Sequence, residues 1–121
     1  MTLLAQIFTG LTALLHVGFL VLEMVLWTKP QGRRIFRMTQ EQAEATQVLA
    51  ANQGLYNGFL AAGLGWSLVA SPPAFAVQVQ LFFLVCVVIA AIYGAWSVSA
   101  RILAVQGGPA MLALLFTVLA F

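Results

Sequence analysis

The chain has 121 residues, of which 63% are hydrophobic and only 7% are charged. A soluble globular domain carries about 25% charged residues, so five basic and three acidic side chains are too few to cover a soluble surface of this size. This composition excludes a soluble enzyme, a disordered chain and a nucleic-acid-binding protein, and the single cysteine, Cys86, excludes a disulfide-stapled secreted domain. It predicts an integral membrane protein with a single transmembrane domain over residues 1–121.

Apolar segments of the chain predict four membrane helices. The hydrocarbon core of a bilayer is about 30 Å thick and needs about 20 apolar residues of helix. Segments of this kind occupy residues 3–27, 48–70 and 75–100, and the first is too long for the apolar part of a signal peptide, so we expect it to be retained. The fourth segment, 109–121, gives only about 18 Å of helix. Either the break before it lies at membrane depth, or the helix stops short, or the preceding glycine pair joins the span.

The connections between these segments carry helix start and stop signals. A basic loop, 29–37, follows the first span. Thr39 and Gln42 have the spacing of a capping box, which predicts the start of the second helix; its first two turns are polar and should project from the membrane. The prolines of 71–73 end that helix, and Gln106-Gly107-Gly108-Pro109 breaks the chain before the fourth one.

The basic residues predict the orientation in the membrane. Segments 29–37 and 101–108 hold every lysine and arginine, and four successive spans place both segments on one side. The positive-inside rule makes that side cytoplasmic, with both termini outside, in a multi-pass membrane protein. Short connections favour an all-α, antiparallel four-helix bundle whose fourth helix is short.

A polar stripe runs along the first span. Thr2, Thr9, His16 and Glu23 recur every seven residues, and a stripe with this spacing drifts by only about 20° per repeat, so it should face the bundle interior. The threonines and the histidine can serve as hydrogen-bonding groups that hold helices together. Glu23 differs, because a carboxylate inside a span costs about 2.5–3.5 kcal/mol on insertion scales. It therefore needs a functional role, an ion-pair partner such as Arg101, or a proton that neutralises it.

A second polar cluster opens the apolar part of the second helix. Asn52 with Tyr56, and Gln53 with Asn57, are i,i+4 pairs that share a broad polar face. Glycines in the same run form a small-xxx-small pair, which lets a neighbouring helix approach closely. In the third span, a stripe of small residues predicts the packing face: Cys86, Ala90, Gly94 and Ser97.

The predicted topology gathers these polar residues in the cytoplasmic half of the membrane. The outer half is almost wholly apolar apart from polar side chains of the first span. We expect a polar pocket that opens to the cytoplasmic leaflet; the competing interpretation is a polar plug that only fixes the helix register. The candidate ligand-binding residues are His16, Glu23, Trp27, Asn52, Gln53, Tyr56, Asn57, Arg101 and Gln106.

Other chemistry has no motif in this chain. No cluster of His, Cys, Asp and Glu has the spacing of metal ligands, and no phosphate-binding glycine loop or nucleophile motif occurs. We therefore expect neither a metal nor another cofactor, and no nucleic-acid partner.

Three segments together resemble a known family. They are Trp27-x-x-Pro30-x-Gly32-x-x-x-Phe36, the run Asn52-Gln53-Gly54-Leu55-Tyr56-Asn57-Gly58 with the apolar residues that follow it, and Gln106-Gly107-Gly108-Pro109. With the pattern His16-x6-Glu23, they resemble the bacterial domain-of-unknown-function family thirteen-oh-four, whose members are small four-span membrane proteins. The resemblance covers nearly the whole chain and implies a four-span fold and a location in the bacterial inner (plasma) membrane, with no established activity. A weaker likeness is to the membrane-associated eicosanoid and glutathione metabolism proteins. These are also four-span proteins, with basic residues and an asparagine near the cytoplasmic start of the second helix, as Arg33-Arg34-x-x-Arg37 and Asn52 are here. The acidic residue that those proteins place soon after this asparagine is absent.

These observations leave three functional hypotheses. The first is a membrane protein that binds or moves a small amphipathic or lipid-like ligand in a cytoplasm-facing polar pocket. The second is a small membrane enzyme that uses Glu23 or Tyr56 as an acid–base group. The third is a structural or accessory subunit of a homo-oligomer or of a larger membrane complex.

Overall fold

The computed structural model describes residues 2–120, and this part of the chain is all-helical, without strands. This confirms the predicted all-α class. A short π-helical segment, in which the backbone bonds skip one residue further than in an α-helix, interrupts the last helical region. The elements in chain order are α1 (Leu3–Met24), α2 (Pro30–Phe36), α3 (Gln40–Val69), α4 (Pro73–Ser97), α5 (Ala100–Ile102), the π segment (Leu103–Gly107) and α6 (Gly108–Leu119).

The predicted capping box starts α3. The Thr39 hydroxyl accepts a hydrogen bond from the Gln42 backbone N–H at 3.1 Å, and Gln42 Oε1 accepts one from the Thr39 backbone N–H at 3.0 Å. Both donors would otherwise lack a helical partner, because the first N–H groups of a helix have no carbonyl one turn before them. α3 then continues without a break for 30 residues, to Val69.

The basic segment 29–37 was predicted to be a loop. It forms a short helix, α2, with one flanking residue on each side. Pro30 starts α2 in the first turn, where its missing N–H costs nothing. Arg37 ends it in the left-handed conformation, with φ of 53°.

The predicted break at Gln106–Pro109 is wrong. The chain continues from α5 through the π segment into α6, so Ala100–Leu119 makes one helical region of 20 residues. The glycine pair therefore joins the fourth helix, and 101–108 is helical and not a loop. The actual break comes earlier, where α4 ends at Ser97 and the Ser99 hydroxyl caps the next helix by accepting from the Arg101 backbone N–H.

Three helical regions are long and apolar enough to cross a membrane. Within the described residues these are Leu3–Met24, Pro73–Ser97 and Ala100–Leu119. α3 is long enough but is not among them, because the amides of Asn52, Gln53 and Asn57 lie in the middle of its sequence. That residues 48–70 also span stays a prediction.

The described residues form two compact units. The first consists of the described part of Met1–Leu15 and Leu60–Phe121, and the second of His16–Phe59. In the first unit, α4 packs against α6 and the π segment. Its fully buried apolar core is formed by Leu64, Leu84, Val87, Ala110 and Ala113.

The packing face of α4 differs from the predicted small-residue stripe. Ala90 and Ser97 of that stripe are exposed, and Cys86 and Gly94 are only partly buried. Volume complementarity decides this face, because aliphatic side chains of α4 fill the space beside α3 and α6. The buried face consists of Ala76, Val79, Gln80, Leu84, Val87 and Ala91.

Candidate functional site

A hydrogen bond between Glu23 and Asn57 joins α1 to α3 in the second unit. Asn57 Nδ2 donates to Glu23 Oε1 at 2.6 Å, and both side chains are partly buried. The close approach of the two helices depends on Gly54. A Cβ added there would lie 2.6 Å from Met24 Cγ and 3.1 Å from Glu23 Cβ, so only glycine fits without a shift. The predicted close-packing role of this glycine is thereby confirmed.

Three polar side chains next to Asn57 in the sequence are exposed. Asn52, Gln53 and Tyr56, together with Asn57, cover about 140° of the circumference of α3 at 100° per residue; we call these four residues the polar arc. Asn57 is at one edge, bonded to Glu23, while the side chains of Asn52, Gln53 and Tyr56 are exposed. Within the described residues of this unit, neither Asn52 nor Gln53 makes a side-chain hydrogen bond.

Trp27 has a structural role at the end of α1. Its indole Nε1 donates to Thr46 Oγ1 at 3.0 Å, and its ring contacts the Phe36 ring with a centroid distance of 4.9 Å. The indole thus connects the end of α1 to both α2 and α3. Its only polar atom already has a protein partner.

The remaining predicted site residues lie in different environments. His16 is fully buried, and its ring meets the Phe19 ring edge-on at 5.4 Å, which favours the structural interpretation of this histidine. Arg101 is exposed in α5, and Gln106 is partly buried in the π segment. Both belong to the first unit, whereas the seven other candidate residues belong to the second.

The first unit contains a buried polar network that the sequence analysis missed. Gln80 of α4 is fully buried, and its Nε2 donates to Thr9 Oγ1 of α1. The Thr117 hydroxyl of α6 lies 3.3 Å from Gln80 Oε1 and 2.7 Å from the Ala113 carbonyl oxygen. A glutamine within a predicted apolar span was the available signal, because an amide facing lipid would lack partners.

The polar stripe of the first span is buried only in part. Thr9 and His16 are fully buried and Glu23 is half-buried, in agreement with the prediction that the stripe faces inward. Thr2 is exposed, because it stands before the first turn of α1, where its hydroxyl accepts from the Ala5 backbone N–H at 3.2 Å.

An open groove of about 400 Å³ lies on the first unit, between the start of α4 and the end of α6. Its lining is mainly apolar and includes Gln78 and Thr117. It is distinct from the polar arc, which belongs to the second unit.

The side chains of the polar arc offer hydrogen-bonding groups. Among residues 2–120, no three His, Cys, Asp or Glu side chains come together in a way that would hold a metal ion. Two amides and a phenol are exposed, and a carboxylate is held by a third amide. Such groups donate and accept hydrogen bonds to a polar ligand group.

Comparison with known proteins places the chain in a family. The family model described as "Protein of unknown function (DUF1304)" matches residues 10–118. The chain is also 32% identical over 117 residues to the "Uncharacterized protein YpaA" of Lactococcus lactis subsp. lactis (strain IL1403), which covers 95% of this chain and 97% of that protein. No solved structure matches the chain. The resemblance stated from the sequence is thereby confirmed: this chain belongs to the DUF1304 family of proteins of unknown function.

Proposed function

We propose that this protein binds a small amphipathic or lipid-like ligand in the membrane through the polar arc of α3. The observation that supports this function is the exposure of Asn52, Gln53 and Tyr56 beside the fixed Glu23–Asn57 pair. A ligand with a polar end would satisfy these groups, and its apolar part would lie against the exposed rings and aliphatic side chains of the same helix, such as Leu55 and Phe59.

Energetics favour binding over a purely structural role for these side chains. Interhelical hydrogen bonds in membranes average only about 0.6 kcal/mol. A register-fixing plug needs its polar groups bonded between helices, and Asn57 alone among the four does this within its unit. The side chains of Asn52, Gln53 and Tyr56 are exposed and lie outside the contact between the helices of this unit, so they do not contribute to such a plug.

A direct test is native mass spectrometry of the protein purified in mild detergent. We expect a co-purifying amphipathic species on the wild type and its loss from the triple variant Asn52→Ala/Gln53→Ala/Tyr56→Phe. Gln47→Ala is the matched control, because Gln47 is an exposed side chain of the same helix about 150° from the centre of the polar arc. It should retain the species.

Two outcomes would contradict the proposal. One is a wild type that carries no bound species under conditions in which it stays folded. The other is a wild-type oligomer that the triple variant dissociates, since the polar arc would then be an interface of the accessory-subunit hypothesis. If the wild type instead releases a chemically altered form of the ligand, and Glu23→Gln or Tyr56→Phe abolishes this alteration, the enzyme hypothesis would be supported.

We further propose that the polar arc faces the cytoplasmic side of a bacterial inner membrane, with both termini outside. The basic charge of α2 and its flanks supports this orientation. Single cysteines at Gln31 and at Ser99, in a Cys86→Ala background, should react with a membrane-impermeant maleimide only after the cells are permeabilised. Labelling of position 31 in intact cells would contradict this orientation and show that α2 lies outside.

A further inference from the structure

We propose that α2 and its flanking residues form a docking surface for the headgroups of anionic phospholipids. The surface consists of the exposed side chains of Lys29, Arg34, Ile35 and Arg37; we call it the basic surface. It goes beyond the proposed ligand site, because none of its residues belongs to the polar arc.

The basic surface is held firmly at the end of α1. Gly32 of α2 is buried against the chain just after α1: a Cβ at this position would collide with the Leu26 carbonyl oxygen. The Phe36 ring packs on the Trp27 ring. Because only a residue without a side chain fits at this position, α2 packs directly against the backbone that follows α1, and its cations are presented from this packed helix.

The cations of this surface are unpaired within the described chain. Residues 29–37 carry four basic side chains and no acidic one. Arg33 is partly buried and its Nε donates to the Thr28 carbonyl oxygen at 3.2 Å, which gives it a structural role. Lys29, Arg34 and Arg37 are exposed and make no ion pair among residues 2–120.

Arg37 occupies a position that glycine suits better. Its φ of 53° lies in the left-handed region, where side chains beyond glycine and asparagine are disfavoured. Its backbone N–H donates to the Arg33 carbonyl oxygen, as expected at the end of a helix. An arginine here adds a cation to the basic surface at the expense of backbone strain.

The partner that matches this surface is an anionic bilayer. Ile35, 54% exposed, lies between Arg34 and Arg37 in the sequence and supplies the apolar contact that an interfacial helix buries at the boundary of headgroups and acyl chains. The neighbouring Trp27 is of the residue type enriched at that depth. Because the chain already lies in a bilayer, the leaflet beside α2 is the anionic partner within its reach.

The experiment measures lipid selectivity of the full-length protein. The protein is reconstituted in mixed phosphatidylglycerol and phosphatidylcholine, and the association of spin-labelled forms of the two lipids is compared. Each cation near an anionic surface contributes about 5-fold in binding. We expect Arg34→Gln and Arg37→Gly each to lower the preference for phosphatidylglycerol by up to about 5-fold, and 1 M NaCl to abolish it.

The controls separate charge from folding. Arg34→Lys retains the charge and should keep the preference, and Gln31→Ala removes an exposed polar side chain of the same helix without a change in charge. Arg37→Gly relieves the left-handed backbone, so a lower preference in this variant cannot come from a damaged helix end. An unchanged preference in both Arg34→Gln and Arg37→Gly would overturn the proposal, as would an equal loss in Gln31→Ala. Displacement of phosphatidylglycerol by millimolar inorganic phosphate would assign the cations to a soluble anion and overturn it as well.

Discussion

Replacement of Gln80 by leucine should weaken the first unit by about 1 kcal/mol. Gln80 is fully buried and reaches Thr9 on α1 and Thr117 on α6. Leucine has a similar volume, so the change removes two interhelical hydrogen bonds and leaves the packing nearly intact. At about 0.6 kcal/mol for each bond in a membrane protein, the loss is about 1 kcal/mol.

Gln80→Ala should cost more than Gln80→Leu. It removes the same two hydrogen bonds and also leaves a void of about 50 Å³, which adds about 1 kcal/mol at about 24 cal/mol per Å³. The difference between the two variants therefore separates packing from hydrogen bonding at one position.

The assay is equilibrium unfolding in mixed micelles with increasing fractions of sodium dodecyl sulfate, followed by circular dichroism. Gln78→Leu is the matched control: Gln78 lies on the same helix and is exposed, so its replacement should change the free energy of unfolding by less than about 0.5 kcal/mol. A double-mutant cycle with Thr117→Val measures the coupling of that pair, expected at about 0.5 kcal/mol.

A Gln80→Leu variant that is as stable as the wild type or more stable, and that shows no coupling to Thr117, would refute this role of Gln80. Gln80 would then be a buried amide that does not stabilise the contact of α1, α4 and α6. Equal losses in Gln78→Leu and Gln80→Leu would show that the assay reports hydrophobicity and not the buried network.

Two further predictions concern the packing and the start of α3. Gly54→Ala should lower the free energy of unfolding by about 1–3 kcal/mol, because the added methyl group overpacks against α1. Gly65→Ala should leave this free energy unchanged or raise it, because a Cβ there meets no atom within 4 Å. Unfolding in mixed micelles compares the two variants, and equal effects would contradict the close approach at Gly54. Thr39→Ala should cost about 1 kcal/mol at the start of α3, seen as faster hydrogen exchange of the first-turn amides with α6 unchanged, and Thr39→Ser should restore protection; the same exchange rate in all three proteins would refute the capping role.

Much of the polar chemistry was visible in the sequence, but its partners were not. The polar stripe of the first span, which recurs every seven residues, indicated that Thr9 and His16 are buried, because helical periodicity determines which residues share a face. Nothing in the spacing indicated that Asn57 would donate a hydrogen bond to Glu23 Oε1 while Asn52 and Gln53 remain exposed. The choice depends on the rotation of α3 against α1, and the contact at Gly54 determines that rotation.

The sequence by itself determined the membrane class, the helical fold class, the family and the start of α3. Each of these depends on composition or on local hydrogen bonds, such as the reciprocal pair of Thr39 and Gln42, which form within a few residues of one another. The tertiary structure alone decided that the glycine pair before α6 continues the helix. Gly107 is buried there, and an added Cβ would lie 3.0 Å from Ala91 Cβ of α4, so packing against a neighbouring helix holds a segment that local propensity marks as a break. The Gln80 network was likewise decided by packing, because its three residues are far apart in the chain and meet only when α1, α4 and α6 come together.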